Sequence, residues 1–353
     1  MNNDIISIIV PTYNCRDYAK ECIENIINQT YPYWELILVN GRSTDGTTEL
    51  CDEYASTYDN IFSIHDIDGL VQARNVGLEK AKGDWILYID GDDWIDTESL
   101  EKLIEASKRH KGVDVVFFNY VQDFYGKSIE KWRWPEKEHE KLYIGDDCRR
   151  LAKDCLHFKL GISEAYNKIV RKSLIDKFNL KHNPLLRQGI EGTDYSIRVY
   201  FYAKTILYLN EDLYHYRYCE TSLAHRIDEK DAYYIAEGLE TVKDFIDTNV
   251  KDDEKYEFMQ ALYERSLYAL IAKSMGTFFN PLNKNSYRKR KDAFDKFLNT
   301  SKVINEALKN SKYTDFNKSR KLVLNAIKNK QYSIIQFVAL AKHIAKKIGY
   351  FKY

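Results

Sequence analysis

Ile86-Leu-Tyr-Ile-Asp-Gly-Asp-Asp-Trp-Ile-Asp96 is an apolar run that ends in a cluster of acids. Trp85 to Ile89 is short, aromatic and β-branched, the composition of a buried strand. Asp90, Asp92 and Asp93 stand where that strand leaves its sheet. Two unit charges about 4 Å apart repel by roughly 4 kcal/mol at an effective dielectric near 20, so acids gathered at a strand end call for a cation. Carboxylate oxygens suit Mg²⁺ or Mn²⁺ better than zinc, and such an ion commonly completes its shell with phosphate oxygens. In isolation the same acids read as a solvated turn that caps a helix starting near Thr97. The surrounding sequence decides between the two.

That sequence alternates strand and helix. Ile5 to Val10, Trp34 to Val39, Ile61 to Ile64, Trp85 to Ile89 and Val113 to Tyr120 read as strands. Asp17 to Gln29, Thr44 to Tyr58, Leu70 to Ala81 and Thr97 to Arg109 read as helices between them. This order predicts an α/β fold with a doubly wound, mainly parallel sheet. Ligands of such sheets sit outside the carboxyl ends of the strands, where Asn14, Asn40, His65 and Asp90 fall. From Asp123 to Gly145 the pattern breaks into a loop or hairpin, and helices resume from Asp147 to Phe178. Thr205 to Leu209 and Leu213 to Tyr218 read as strands flanking a turn. Beyond Asp228 the chain reads as helices over 230–247, 253–278, 286–298, 301–310 and 317–348. The expected division is a catalytic domain over 1–226, with a nucleotide-binding half to about residue 120 and an acceptor half over 121–226, and a C-terminal α-helical domain over 227–353.

The 353 residues carry 53 Lys plus Arg and 53 Asp plus Glu, a balance that gives no pull toward a polyanion, and no nucleic-acid motif appears. The balance is uneven: from Ser301 onward there are twelve Lys or Arg against Glu306 and Asp315. Six scattered cysteines without a Cys-x-x-Cys pair fit reduced thiols in a cytoplasmic protein. The polar start, Met1 to Asp4, predicts no leader peptide, and no run is long enough to span a membrane. The turn after the first strand, Pro11-Thr-Tyr-Asn14, lacks the Gly-x-Gly-x-x-Gly spacing of a dinucleotide-dependent dehydrogenase.

Seven stretches occur in one order: Ser7-Ile-Ile-Val-Pro-Thr-Tyr-Asn14, Ser43-Thr-Asp-Gly-Thr47, Gly69-Leu-Val-Gln-Ala-Arg-Asn-Val-Gly77, Tyr88-Ile-Asp-Gly-Asp-Asp93, Asn167-Lys168, Glu191-Gly-Thr-Asp194, and Tyr214-His-Tyr-Arg217 running to Ser222 and His225. Through them the first two thirds of the chain resembles the inverting nucleotide-sugar glycosyltransferases of the GT-A fold, family 2 type, which build bacterial surface polysaccharides. The resemblance implies transfer of a hexose or N-acetylhexosamine from a nucleotide-diphosphate sugar, UDP first, to a saccharide hydroxyl of capsule, lipopolysaccharide or wall polysaccharide. It implies Mn²⁺ or Mg²⁺ on Asp92 and Asp90, with His225 completing the shell. The donor would lie against Pro11, Thr12, Tyr13, Asn14, Asn40, Arg42, Asp68, Arg74, Asp90 and Gly91. Arg74 would hold Asp90 or a phosphate through its planar fork, Lys168 a phosphate, and Asp93 would cap the following helix.

A single displacement needs one carboxylate to take the acceptor's proton. Asp194, at a helix start whose field favours an anion, is the expected base and Glu191 the second choice. Two departures stand out. The family usually has Glu-Asp where this chain has Thr193-Asp194. It also has an acid after the second strand, where Asn40-Gly41-Arg42-Ser43 leaves Asn40 to meet the base through its amide, or Asp66 or Asp68 to stand in. These departures keep open a non-catalytic binding or scaffold homologue. In the tail, Lys318 to Lys352 mixes apolar residues with Lys318, Arg320, Lys321, Lys328, Lys330, Lys342, Lys346, Lys347 and Lys352. A basic amphipathic helix of this kind lies on anionic lipid, which suits a lipid-linked acceptor at the inner membrane face, or packs on the catalytic domain or a second subunit.

Overall fold

The computed structural model describes residues 3–124, 127–157, 160–187, 189–218, 227–311 and 316–347. Two compact units emerge: Met1–Cys155 with Lys159–Cys219, and Leu156–Phe158 with Glu220–Tyr353.

In the first unit the order is β1 (Ile6–Thr12), α1 (Arg16–Ile27), β2 (Trp34–Asn40), α2 (Thr47–Thr57), β3 (Ile61–Ile64), α3 (Leu70–Lys80), β4 (Trp85–Tyr88), β5 (Trp94–Ile95), α4 (Ser99–Arg109), β6 (Val115–Phe124), β7 (Lys127–Trp132), β8 (Glu140–Ile144), α5 (Asp146–Asp154), β9 (Lys168–Arg171), α6 (Lys172–Phe178), α7 (Glu191–Tyr202) and β10 (Thr205–Arg217). One sheet runs β3-β2-β1-β4-β9-β6-β10-β5, with β7 on β6 and β8 on β10. The first four strands are parallel, with Ile9 facing both Ile37 and Tyr88. Ile6 to Val10 and Glu35 to Asn40 are buried without alternation, as strands covered on both faces require. Helix α3 sits close to the sheet because Gly77 has no side chain: a Cβ there would come 2.4 Å from Ile9 Cγ2.

Three expectations are corrected. The stretch read as helical from Asp147 to Phe178 contains β9, which inserts antiparallel between β4 and β6. Four residues that begin with a lysine carry too little periodicity to announce a strand. The expected turn at Asn210 to Asp212 lies inside one strand. Between β10 and β6 the register jumps from Leu209↔Phe118 to Asp212↔Asn119, so extra residues bulge out and the strand continues. The bulge carries Tyr214 and Arg217 to the end of β4.

The second unit holds α8 (Glu229–Asn249), α9 (Asp252–Lys273) closing in a π turn over Ser274–Phe278, α10 (Tyr287–Thr300), α11 (Lys302–Asn310), α12 (Lys318–Lys328) and α13 (Tyr332–Lys347). The third correction is here: 317–348 is two helices. Lys330 adopts φ 54°, and Gln331 N and Lys330 N donate to Ala326 and Ile327 carbonyls, a Schellman close built without glycine. Phe337, Leu340 and Ile344 lie exposed along α13. Among the described residues no helix is long and apolar enough to cross a membrane.

Candidate active site

The three acids at the end of β4 have three different environments. Asp93 is buried and does not cap a helix. Its Oδ2 accepts from the Tyr214 hydroxyl and its Oδ1 from Arg217 N (2.7 Å), while α4 begins after Glu98. Burial, then Asp92 and Asp90, push its pKa well above the usual range. Asp90 keeps a side-chain exposure of 26% and takes a 2.7 Å ion pair from Arg74 Nη2. Its amide donates to the Tyr214 hydroxyl. Asp92 is half-buried, and its carboxylate has no ion pair or side-chain hydrogen bond among the described residues. Burial and then Asp90 push its pKa up to about 6. The cluster is tied to the far side of the sheet by Arg217. Its Nε donates to the Asp92 carbonyl (2.7 Å), and its guanidinium lies 4.5 Å from the Trp94 ring centre. The sequence motif contained Tyr214 and Arg217 but assigned neither a role.

Arg74 is the hub. Only 2% exposed, it reaches Asp90 with one nitrogen and Glu191 Oε1 with another (3.3 Å). Glu191 Oε2 accepts from the amides of Gly189 and Ile190. Burial raises the Glu191 pKa, and Arg74 opposes that rise. Both expected bases therefore have other partners. Asp194 is 2% exposed, and its Oδ2 accepts from Arg198 Nη2, which also donates to the Lys181 carbonyl. Lys168 is fully buried. Its ammonium donates to the Glu164 carbonyl, Asn167 Oδ1 (3.0 Å) and Ser196 Oγ (3.1 Å), and burial pulls its pKa down to about 8. Asn75 is spent on both backbone groups of His182.

At the ends of β1 and β2 the expected nucleotide contacts sort in the same way. Tyr13 is 61% exposed, and its ring lies over Gly41, where a Cβ would come 2.9 Å from Cδ2. Pro11 and Thr12 end the strand. Asn14, at φ 46°, accepts from Thr44 N through its side chain and donates its backbone amide to Ser43 Oγ. Asn40 is 1% exposed. Its oxygen accepts from Thr12 and Ser43 hydroxyls and its nitrogen donates one N–H to Thr48 Oγ1, so the amide helps to hold the loop together. Arg42 and Asp68 form an exposed pair at 3.7 Å. His225 lies outside the described residues.

The donor set fits a hard cation. Asp92 offers a carboxylate with no ion pair among the described residues and a charge that burial penalises, Asp90 a second carboxylate beside it, and both are acceptors only as anions. Among the described residues no three His, Cys, Asp or Glu groups converge on one point. Two carboxylates side by side suit an ion that takes one or two carboxylates and fills its shell with water and phosphate. Gly91 sets the spacing: a Cβ there would stand 2.8 Å from the Pro11 carbonyl and 2.9 Å from Thr12 Cγ2. Gly91→Ala must push β1 aside. Overpacking of this kind costs about 1–3 kcal/mol, read as a lower urea midpoint, and it displaces Asp90 and Asp92 together.

The sequence model of glycosyl transferase family 2 matches residues 7–178. The putative glycosyltransferase EpsH of Bacillus subtilis (strain 168) is 28% identical over all of this chain and 98% of its own length. The glycosyltransferase GlyG of Streptococcus pneumoniae serotype 4 is 31% identical over 61% of this chain and 71% of its own length. Among solved structures, S. aureus TarS 1–349 in complex with UDP-GlcNAc superposes with a TM-score of 0.67 at 19% identity, covering 96% of this chain and 92% of that one. At that identity the likeness is one of fold, here the GT-A fold.

Proposed function

This chain belongs to glycosyl transferase family 2, and we propose that it transfers a hexose or N-acetylhexosamine, with inversion, from a UDP-sugar to a saccharide hydroxyl. The observation that carries the reading is the pair Asp90 and Asp92 at the mouth of β4: one carboxylate is aimed by Arg74, and the other, without an ion pair among the described residues, is disfavoured as an anion by burial and by Asp90. They would hold Mn²⁺ or Mg²⁺, which, when bound, offsets the charge that develops on the leaving diphosphate. Tyr13 presents an exposed ring to the base, and Arg42 and Asp68 stand at the rim near it. That TarS was solved with UDP-GlcNAc supports UDP as the first donor to test.

The acceptor in this reading is an oligosaccharide or a lipid-linked saccharide of a bacterial surface polysaccharide, met on the cytoplasmic side. The exposed Phe337, Leu340 and Ile344 beside tail lysines support contact with anionic lipid. A second copy of the chain is the other candidate for that face. The test is a thermal-shift panel of UDP-, GDP- and TDP-sugars with and without Mn²⁺. A ligand raises the melting temperature by an amount set by the ratio of its concentration to its Kd. The expected outcome is an Mn²⁺-dependent rise, largest with a UDP-sugar. No rise with any nucleotide sugar refutes the activity.

A further inference from the structure

Helix α10 begins with the wrong charge for its position. Lys284-Asn-Ser-Tyr-Arg-Lys-Arg-Lys291 holds five basic side chains and no acid, and the first turn of α10 contains no acidic residue. A helix start is the positive end of its peptide dipoles and ordinarily takes acids. Ser286 is the N-cap, and its Oγ accepts from Lys289 N at 3.4 Å. Arg290 N donates to the Ser286 carbonyl. The amides of Tyr287 and Arg288 come before the helical ladder and have no acceptor within the helix. None of the five basic residues forms an ion pair among the described residues.

Arg290 is the anomaly. It is 8% exposed, and its Nε is shut off from water without a hydrogen-bond partner. No hydrogen bond engages the rest of its guanidinium among the described residues. A guanidinium taken out of water is normally paired, as Arg74 is. Side chains of a helix lean toward its N-terminus and cover the preceding turn, so Arg290, the fourth residue of α10, leans over Ser286 and Tyr287. The other direction is closed. Phe294, one turn further along the same face, packs on Phe278, Phe279 and Tyr332 with ring centres 5.1 to 5.3 Å apart. Two acids of the surroundings have other partners. Asp295 accepts from the Tyr332 hydroxyl, and Asp228, which lines a groove with Glu229, Lys284 and Asn285, caps α8 through Lys230 N.

We propose that the start of α10 is an anion site that takes a phosphate group, with Arg290 as its floor. The two amides outside the ladder and the guanidinium supply N–H donors to one tetrahedral anion. The exposed Lys284, Arg288, Lys289 and Lys291 add charge at the rim. The phosphate belongs to a lipid headgroup or to a free phosphate compound. The inference does not depend on the transfer proposed above.

The test uses the full chain without Mn²⁺, with inorganic phosphate as the probe and chloride holding the ionic strength constant. Melting temperatures are measured for wild type, Arg290→Met, Arg288→Gln and Lys296→Gln, the last an exposed lysine later in the same helix. The expected result for wild type is a rise of about 2–5 °C at roughly ten times the Kd of phosphate. Lys296→Gln keeps the rise, the exposed Arg288→Gln needs severalfold more phosphate to reach it, and Arg290→Met loses it. In chloride Arg290→Met melts no lower than wild type, because an uncompensated buried charge has gone. A much lower melting temperature there shows that the fold already satisfies the guanidinium, and overturns the site. So does the absence of a phosphate-dependent rise in wild type, or an equal rise in Arg290→Met. Sedimentation with phosphatidylglycerol and with phosphatidylcholine vesicles separates the two sources. Capture by the anionic vesicles that Arg290→Met weakens assigns the phosphate to a lipid headgroup; phosphate binding without such capture assigns it to a free compound.

Discussion

Asp92→Asn yields a protein that is more stable than wild type and nearly inactive. The stability half follows from the environment of the carboxylate. Burial and Asp90 lift its pKa from an ordinary 3.8 to about 6, so the folded chain holds that proton more tightly than the unfolded one. A raised carboxylate pKa means that stability is lost as pH climbs from about 4 through 6, because ionisation costs the folded state more. Above that window the cost is about 1–3 kcal/mol, since each tenfold change in proton affinity is worth about 1.36 kcal/mol. Asparagine keeps the shape and carries no such cost. Its urea midpoint therefore exceeds that of wild type at pH 7.5, and the two converge at pH 4. The activity half is the reverse. With the charge gone, the site loses the carboxylate proposed to hold the metal, and turnover falls about 10²- to 10³-fold, the range seen when one electrostatic stabiliser is removed. Mn²⁺ then no longer raises the melting temperature as it does in wild type. An Asp92→Asn chain that turns over normally would show that the acids at β4 are only a solvated turn.

Arg74→Met is the largest expected loss of stability. The guanidinium is 2% exposed and serves two carboxylates, at 2.7 Å and 3.3 Å. Removing it strands a buried Glu191 and half-strands Asp90, and breaking a buried pair from one side costs about 3–5 kcal/mol. The loss shrinks as pH falls, since the abandoned carboxylates can then take protons. Arg74→Lys recovers little, because one ammonium on a flexible stem cannot span both acids with fixed geometry. The double variant Arg74→Met/Glu191→Gln recovers more than the single variant, because the charge that was left uncompensated is gone. Urea midpoints of wild type, both singles and the double give the coupling directly. If Arg74→Met unfolds within about 1 kcal/mol of wild type, as an ordinary surface change would, Arg74 is not the link between the two halves of the site.

The strands of the nucleotide end were legible because each is a local pattern. Ile6 to Thr12 and Trp34 to Asn40 are nearly unbroken apolar runs, and runs of that length between helical spacings admit few architectures. The mouth of β4 was legible too, since residues three apart must share a strand end. What failed was of another kind. β9 is four residues long and opens on Lys168, whose charge conceals that it is buried beneath Glu164, Asn167 and Ser196. Asn40 matches a base-reading position by sequence, which does not reveal that its amide also binds Thr12, Ser43 and Thr48. The close of α12 escaped notice because Lys330 takes a conformation for which glycine is the usual signal.

Short-range periodicity was enough to establish an α/β scaffold and an acidic rim at the end of β4, and the order of seven motifs added the resemblance to a transferase family. Which carboxylate is free and which is bound was settled by folding alone. Arg74 meets Glu191 across 117 positions, and the packing of α7 gives Glu191 to Arg74 and Asp194 to Arg198. Coulomb energy falls with distance and rises with burial, and neither quantity exists until distant segments have packed.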